Sequence, residues 1–298
     1  MEPNLAGPRR NGMETFDDGR PFRGSEAVAA GRITRGALRG PHFRKLGADT
    51  YVRADVPDDP RLAVHAAAVR AGPDAVLTGW SACIWWECDV LPWPPPPVEL
   101  AAPDRRLRAA PGVTVNRARI RDDDIVVEDG VRVTTPLRTA YDLAVREDLD
   151  TAVVAADGLG HLGKFSASDL TALASDLGPR RGCRRVPEVA ALMDPKAESP
   201  QETRVRLRLL RARLPHPITQ YEVWDGPWQV ARVDFAWPER KLALEYDGRD
   251  HTTDDRRGID VDRIDELRRL GWTVIVVTGR QYRRPRWIEG RVREELGL

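Results

Sequence analysis

Between Arg232 and Gly248 two runs of alternating apolar and polar residues face each other across a short turn, and this segment restricts the fold more tightly than any other. Val233, Phe235 and Trp237 fall on one face of the first run, and Leu242, Leu244 and Tyr246 on the matching face of the second. Asp234, Glu245 and Asp247 fall on the opposite face. The turn Pro238-Glu239-Arg240-Lys241 is centred between Glu239 and Arg240, and a symmetric hairpin about that midpoint sets Asp234 directly across from Glu245. Cβ atoms of opposed residues on antiparallel strands are about 4.5–5.5 Å apart, where like charges repel. A divalent cation relieves that repulsion, and carboxylate oxygens suit Mg²⁺, with Mn²⁺ as a substitute. The plainer reading is a solvated acidic edge answered by surface arginines and lysines.

The flanking sequence extends the pattern. Gly248 permits a tight path after the second strand, and His251 follows as a candidate proton carrier or phosphate contact. Asp260, Arg263 and Leu267 are spaced to lie near one another on a helix ended by Gly271, with Asp260–Arg263 a possible i, i+3 ion pair. Upstream, Ser199-Pro200-Gln201-Glu202 carries an N-cap, a proline at the first helical position and a capping-box acid. The helix it opens runs to about 214 with arginines at 204, 206, 208, 211 and 213, expected to form a basic outer face. From 196 to 298 the expected order is α-β-β-β-α-β-α. Near its end, Arg280, Arg283 and Arg284 stand beside Tyr282, a composition suited to tracking a phosphate backbone or merely to a solvated basic loop.

The rest of the chain is less distinctive. Residues 1–20 read as a disordered arm, 21–58 as two short helices and a strand, and 59–195 as a middle α/β domain. Within 21–58, Gly31 is the expected turn, Thr34 the cap of the second helix, and Arg32, Arg35 and Arg39 the basic residues on it. Trp80, Trp85, Trp86 and Trp93 form a dense patch expected to pack in a core or between domains. The 298 residues exceed one compact core, and 41% hydrophobic with 31% charged residues describes an ordinary globular composition. Three cysteines without a C-x-x-C pair, no long apolar run and no apolar leader point to a reduced, cytoplasmic protein. A net charge of +1 does not separate nucleic-acid binders from other classes.

Taken together, Glu198-Ser199-Pro200-x-Glu202-x-x-x-Arg206, Asp234, Glu245-Tyr246-Asp247-Gly248-x-x-His251 and Asp260-x-x-Arg263-x-x-x-Leu267-x-x-x-Gly271-Trp272 resemble the very-short-patch-repair-like endonuclease domains of the PD-(D/E)XK superfamily. The resemblance covers about 196–298. It implies a restriction-endonuclease-like α-β-β-β-α-β core; with the helix, turn, helix, strand order of 21–58, which reads as a small winged helix-turn-helix, and the middle α/β domain, the expected fold is α/β. It also implies Mg²⁺-dependent cleavage of DNA. Asp234 and Glu245 would be metal ligands, Asp247 and His251 further catalytic residues, Glu202 an accessory acid and Arg263 a phosphate contact. Asp247 stands where many superfamily members carry a lysine, but Asp-Gly is common in this branch.

Residues 22–54, with Thr134-Thr135-Pro136-Leu137-Arg138-Thr139-Ala140-Tyr141-Asp142-Leu143-Ala144, resemble abortive-infection-type antitoxins. That resemblance implies DNA contacts through Arg32, Arg35 and Arg39, and a toxin or repair protein as partner. The alternative is an antitoxin-like DNA-binding regulator whose nuclease-like domain is inactive.

Overall fold

The computed structural model describes residues 19–102, 109, 111–163, 165–247 and 254–298, with 254–261 described by backbone alone. Most of the expected arm at 1–20, together with Gly248 and His251, lies outside the described residues. The chain is mixed α/β and divides into two compact units, one of residues up to Glu87 with Leu91–Thr139, the other of Cys88–Val90 with Ala140–Leu298. Residues 140–195, expected in a middle domain, therefore share a unit with the C-terminal sheet. Among the described residues no helix is long and apolar enough to cross a membrane, and all three cysteines are free.

The first unit opens with β1 (Phe22–Arg23), α1 (Gly24–Ala29), β2 (Phe43–Gly47) and β3 (Thr50–Arg53), whose strands form a sheet in the order β1-β3-β2. Gly31 turns the chain at φ 69°, and the Thr34 hydroxyl accepts the Ala37 N–H at 3.1 Å, as a cap would. The helix it was expected to start is a single 3₁₀ turn, Ala37–Arg39. Three glycines, at 31, 36 and 40, surround that turn, and the backbone freedom of glycine opposes a longer helix. Arg32 and Arg35 therefore precede the turn, and the three arginines do not share a helix face.

Next come α2 (Pro60–Ala71), β4 (Val76–Leu77), α3 (Gly79–Trp85), β5 (Val98–Ala101), β6 (Val113–Asn116), β7 (Ile125–Glu128) and β8 (Val131–Thr134); α4 (Pro136–Arg146) begins in this unit and belongs to the second from Ala140 on. The strands form a five-stranded sheet, β6-β5-β4-β8-β7. Val64 and Ala68 of α2, Ala82 and Trp85 of α3, and Leu77, Leu100 and Val133 of the strands make one core. Trp80 and Trp85 are buried as expected, whereas Trp93 is 90% exposed and belongs to no core.

The second unit contains α5 (Leu149–His161), α6 (Ala167–Leu177), α7 (Val186–Leu192), α8 (Pro200–Arg211), β9 (Ile218–Asp225), β10 (Trp228–Trp237), β11 (Leu242–Asp247), α9 (Asp254–Arg269), β12 (Thr273–Thr278), α10 (Gly279–Tyr282) and α11 (Trp287–Leu296). The sheet order is β12-β11-β10-β9, with β11 and β12 parallel and the other pairs antiparallel. The β10–β11 register, Phe235↔Leu244, Ala236↔Ala243 and Trp237↔Leu242, is symmetric about the midpoint between Glu239 and Arg240, as the turn requires. A 3₁₀ turn at Pro238–Arg240, with Lys241 at φ 45°, closes it.

One core joins Val205 and Leu209 of α8, Phe235, Trp237, Leu242 and Leu244 of the sheet, and Ile288 and Val292 of α11. A second joins Ala236, Ala243, Leu267 of α9 and Trp272. Val233 packs in this second core, not with Phe235 as strict alternation requires.

The arginines of α8 do not form an outer basic face. Arg206 is buried and donates to Asp157 Oδ2 at 2.7 Å and to the Leu192 carbonyl, while Arg208 pairs with Glu289 and Arg211 with Asp150. Asp157 also accepts the Thr203 hydroxyl at 2.8 Å and the Asp194 N–H at 2.6 Å. Removing one partner of a buried, hydrogen-bonded ion pair strands the other charge. Asp157→Asn is therefore expected to lower unfolding free energy by about 3 kcal/mol in urea titrations. A loss under about 1 kcal/mol would mean that the pair contributes no more than an exposed one.

Candidate functional site

The alternation of β10 breaks at Asp234. On its β9 side the register runs Val233↔Tyr221 and then Phe235↔Thr219, so Asp234 and Gln220 lie between two aligned pairs. Gln220 has φ 50°, a left-handed conformation that is strained for this residue type. On the β11 side the aligned pairs end at Phe235↔Leu244, and one step further Asp234 is level with Glu245. There the Asp234 side chain enters the sheet's hydrogen bonding, its Oδ2 accepting the Tyr246 N–H at 2.7 Å.

Two other acids and one arginine complete the cluster. Glu245 is buried, and its Oε2 accepts from Arg263 Nη2 at 2.9 Å. Arg263, on α9, also reaches the Arg232 carbonyl at 3.4 Å. The side chain of Asp260, the partner expected for Arg263, lies outside the described residues. Glu202 is buried at the start of α8, where the Ser199 hydroxyl donates to Oε1 at 2.7 Å and the Glu198 N–H to Oε2 at 2.9 Å. Ser199 caps the helix, its hydroxyl accepting the Glu202 N–H at 3.2 Å, but Glu202 bonds the N–H of Glu198 instead of that of Ser199, so the reciprocal bond of the expected capping box is shifted by one residue. Gln220 Nε2 donates to the same Oε2 at 2.8 Å, linking the helix cap to the kinked residue beside Asp234.

Burial pushes the Asp234 carboxyl up to about 7. The charges of Glu202 and Glu245 push in the same direction, and the Tyr246 N–H and Arg263 offset them only in part. Near neutral pH, a proton on Asp234 relieves the crowding of three acids around one guanidinium. Asp234 and Glu245 offer hard oxygens at adjacent positions that could hold a divalent cation once Asp234 is deprotonated, while Arg263 answers the charge of Glu245. Among the described residues no three His, Cys, Asp or Glu side chains are grouped as a ready-made metal site.

Asp247 ends β11 level with Thr278, the last residue of β12. The short helix α10 follows β12 directly, so Arg280, Arg283 and Arg284 sit at the same end of the sheet as Asp247, all exposed. The Tyr282 ring, edge-on to Tyr246 at 6.1 Å, lies under the Arg208 guanidinium and ties this segment to the core. Sequence reasoning missed Gln220, whose side chain and backbone both shape the site; a glutamine inside an edge strand carries no local signal for either role. In the first unit Arg32, Arg35 and Arg39 are exposed.

No family model matches the chain. Two uncharacterized proteins of Mycobacterium tuberculosis, one from each of two strains, are 28% identical to it over 204 residues, a span covering 67% of this chain and 73% of theirs.

The folded chain holds the Asp234 proton more tightly than the unfolded chain does, where the carboxyl titrates near 3.8. The stability this group contributes is complete below that value and is lost as pH rises through 7. Asp234→Asn keeps an oxygen for the Tyr246 N–H and removes the titration. Its stability relative to wild type is expected to improve by roughly 2 kcal/mol between pH 5 and pH 8. Urea unfolding at the two pH values measures this, and a gap that does not change with pH would contradict it.

Proposed function

We propose that this chain is a metal-dependent DNA endonuclease of the PD-(D/E)XK type, its site formed by Asp234 and Glu245 with Glu202, Asp247 and Arg263 around them. The observation that carries the reading is the raised Asp234 carboxyl beside a buried Glu245, in the central hairpin of a four-stranded sheet. The order α8-β9-β10-β11-α9-β12 agrees with the α-β-β-β-α-β core that the sequence resemblance implies.

Asp234 and Glu245 would hold Mg²⁺ or Mn²⁺. Such an ion, when bound, supplies Lewis-acid polarisation of a phosphate and a water of lowered pKa. The chain's own residues would prepare this chemistry. With its carboxyl raised to about 7, Asp234 would give up its proton near neutral pH to serve as one of these ligands. Arg263 orients Glu245 through Oε2, and a phosphate brought to the site competes for the same guanidinium. Glu202, fixed by Ser199, Glu198 and Gln220, adds negative charge without being free to rotate. Arg280, Arg283 and Arg284 would follow the DNA backbone at the Asp247 end of the sheet. His251 remains the proton carrier that the resemblance implies. In the first unit, the α1 segment and the β2–β3 hairpin would serve as a winged-helix-like DNA contact carrying Arg35 and Arg39.

The Arg263–Glu245 pair also favours a second reading, in which the arginine replaces the metal and the unit binds DNA without cutting it. Incubating the full chain with supercoiled and single-stranded DNA, with Mg²⁺, Mn²⁺ or chelator, separates the two. Metal-dependent nicking is expected, reduced about a thousandfold or more in the Asp234→Ala, Glu245→Ala double variant. Gel shifts without cleavage, unchanged in that variant, would favour the regulator.

A further inference from the structure

Between α6 and α7 the chain reads Arg180-Arg181-Gly182-Cys183-Arg184-Arg185, a basic segment that belongs neither to the acidic site nor to the arginines beside β12. With Pro179 and Glu188 it lines a shallow concavity of about 700 Å³, where four arginines stand against a single carboxylate. All of these residues lie within the second unit.

The segment is held by contacts that leave its charge in place. Gly182, at φ 88°, lies so close to the end of α4 that a Cβ there would stand 2.2 Å from the Val145 carbonyl oxygen, so only glycine fits. Cys183 Sγ accepts the Arg180 N–H at 3.4 Å. The Arg180 guanidinium lies over the Tyr141 ring, 5.6 Å from its centroid, and donates to the Leu177 carbonyl at 3.2 Å. Arg185 donates to the Glu147 carbonyl. Arg181 and Arg184 are exposed, and among the described residues neither guanidinium has an ion pair or hydrogen bond.

The partners of Arg180 and Arg185 are uncharged, so they orient these guanidinium groups without neutralising them. By contrast, Arg206, Arg208 and Arg211 of the same unit each meet a carboxylate. A fixed cluster of like charge around a concave surface raises the local potential for an anion. Guanidinium groups match phosphate oxygens in planar, two-pronged geometry, and a nucleic-acid backbone supplies such anions in a row. Apart from Pro179 and Cys183 the lining has no apolar side chain to enter a lipid surface, which favours nucleic acid over an anionic membrane.

We propose that the α6–α7 loop is a second contact for the DNA phosphate backbone, with Arg181 and Arg184 touching phosphates and Arg180 and Arg185 adding to the local charge. The inference rests on the reading that this unit acts on DNA, but not on the acidic site being able to cut it.

Fluorescence anisotropy of a labelled duplex, titrated with the full chain in chelator at several salt concentrations, tests it. The double variant Arg181→Gln, Arg184→Gln is expected to bind about tenfold more weakly, with the slope of log K against log salt concentration shallower by roughly two. A control with the same loss of charge, Arg268→Gln with Arg291→Gln, removes arginines already paired with carboxylates and is expected to change that slope by less than about half as much. Circular dichroism would show that both double variants keep the fold. Because no metal-dependent cleavage occurs in chelator, a chain that binds through the loop yet never nicks DNA with Mg²⁺ would remove the nuclease reading and keep this one. The proposal is overturned if the wild-type chain binds no duplex, if the loop variant binds as wild type does, or if the control weakens binding equally. It is overturned too if the two arginines govern binding to phosphatidylserine vesicles and not to the duplex.

Discussion

The second unit is organised by a buried ion pair between Asp157 and Arg206. Asp157, on α5, gathers the Arg206 guanidinium, the Thr203 hydroxyl and the Asp194 N–H, so α8 is fixed by two of its residues one turn apart. Four residues before Arg206, in the first turn of the same helix, stands Glu202, whose carboxylate accepts from Gln220 Nε2. Asp194 meanwhile accepts the Thr219 hydroxyl at 2.7 Å, anchoring the neighbouring position of β9. One buried carboxylate thus acts through two routes on the strand residues beside Asp234. Buried pairs of this kind contribute little net stability over an apolar substitute but penalise misplacement heavily. Here that property fixes the geometry of an acidic site many residues away in sequence.

Asp234 shows what that geometry costs. A carboxyl placed among Glu202 and Glu245 and removed from water is opposed by both burial and charge. Gln220 at φ 50° adds local backbone strain at the same point of the sheet. A strand chosen only for stability would carry an apolar residue at 234 and an unbroken alternation. Violations of local rules concentrated at one place, while the surrounding hairpin obeys them, are the pattern expected where function opposes stability.

The hairpin was legible because its two determinants are local. Period-two alternation gives the strands, and an even, symmetric turn gives the register, so the approach of Asp234 to Glu245 follows from spacing alone. The face of Val233 was not legible, because the break depends on the backbone of Gln220 in another strand. Nor was the role of Arg206: an arginine among five on one helix reads as surface until Asp157, nearly fifty residues earlier, is seen to meet it. The second helix of the first unit failed for a simpler reason, since a cap at Thr34 cannot sustain a helix through Gly36 and Gly40. The helix Gly79–Trp85 escaped because it is buried on nearly every side and therefore has no polar face to mark a period.

The same distinction explains why a net charge of +1 says little about nucleic acid. Arg206, Arg208, Arg211, Arg232, Arg263 and Arg269 each pair with a carboxylate within the second unit. Counting them as a basic surface would overstate its pull on phosphate. Arg280, Arg283 and Arg284 are exposed, and the ion pairs described for this unit do not include them. What attracts a polyanion is the arginine charge left unanswered at one place, not the chain's total. Three such arginines, Arg280, Arg283 and Arg284, follow β12 directly, at the end of the sheet where β11 closes with Asp247. A phosphate backbone drawn there would meet cationic residues before the acids, which is the order that an acidic site needs if it is to admit a polyanion at all.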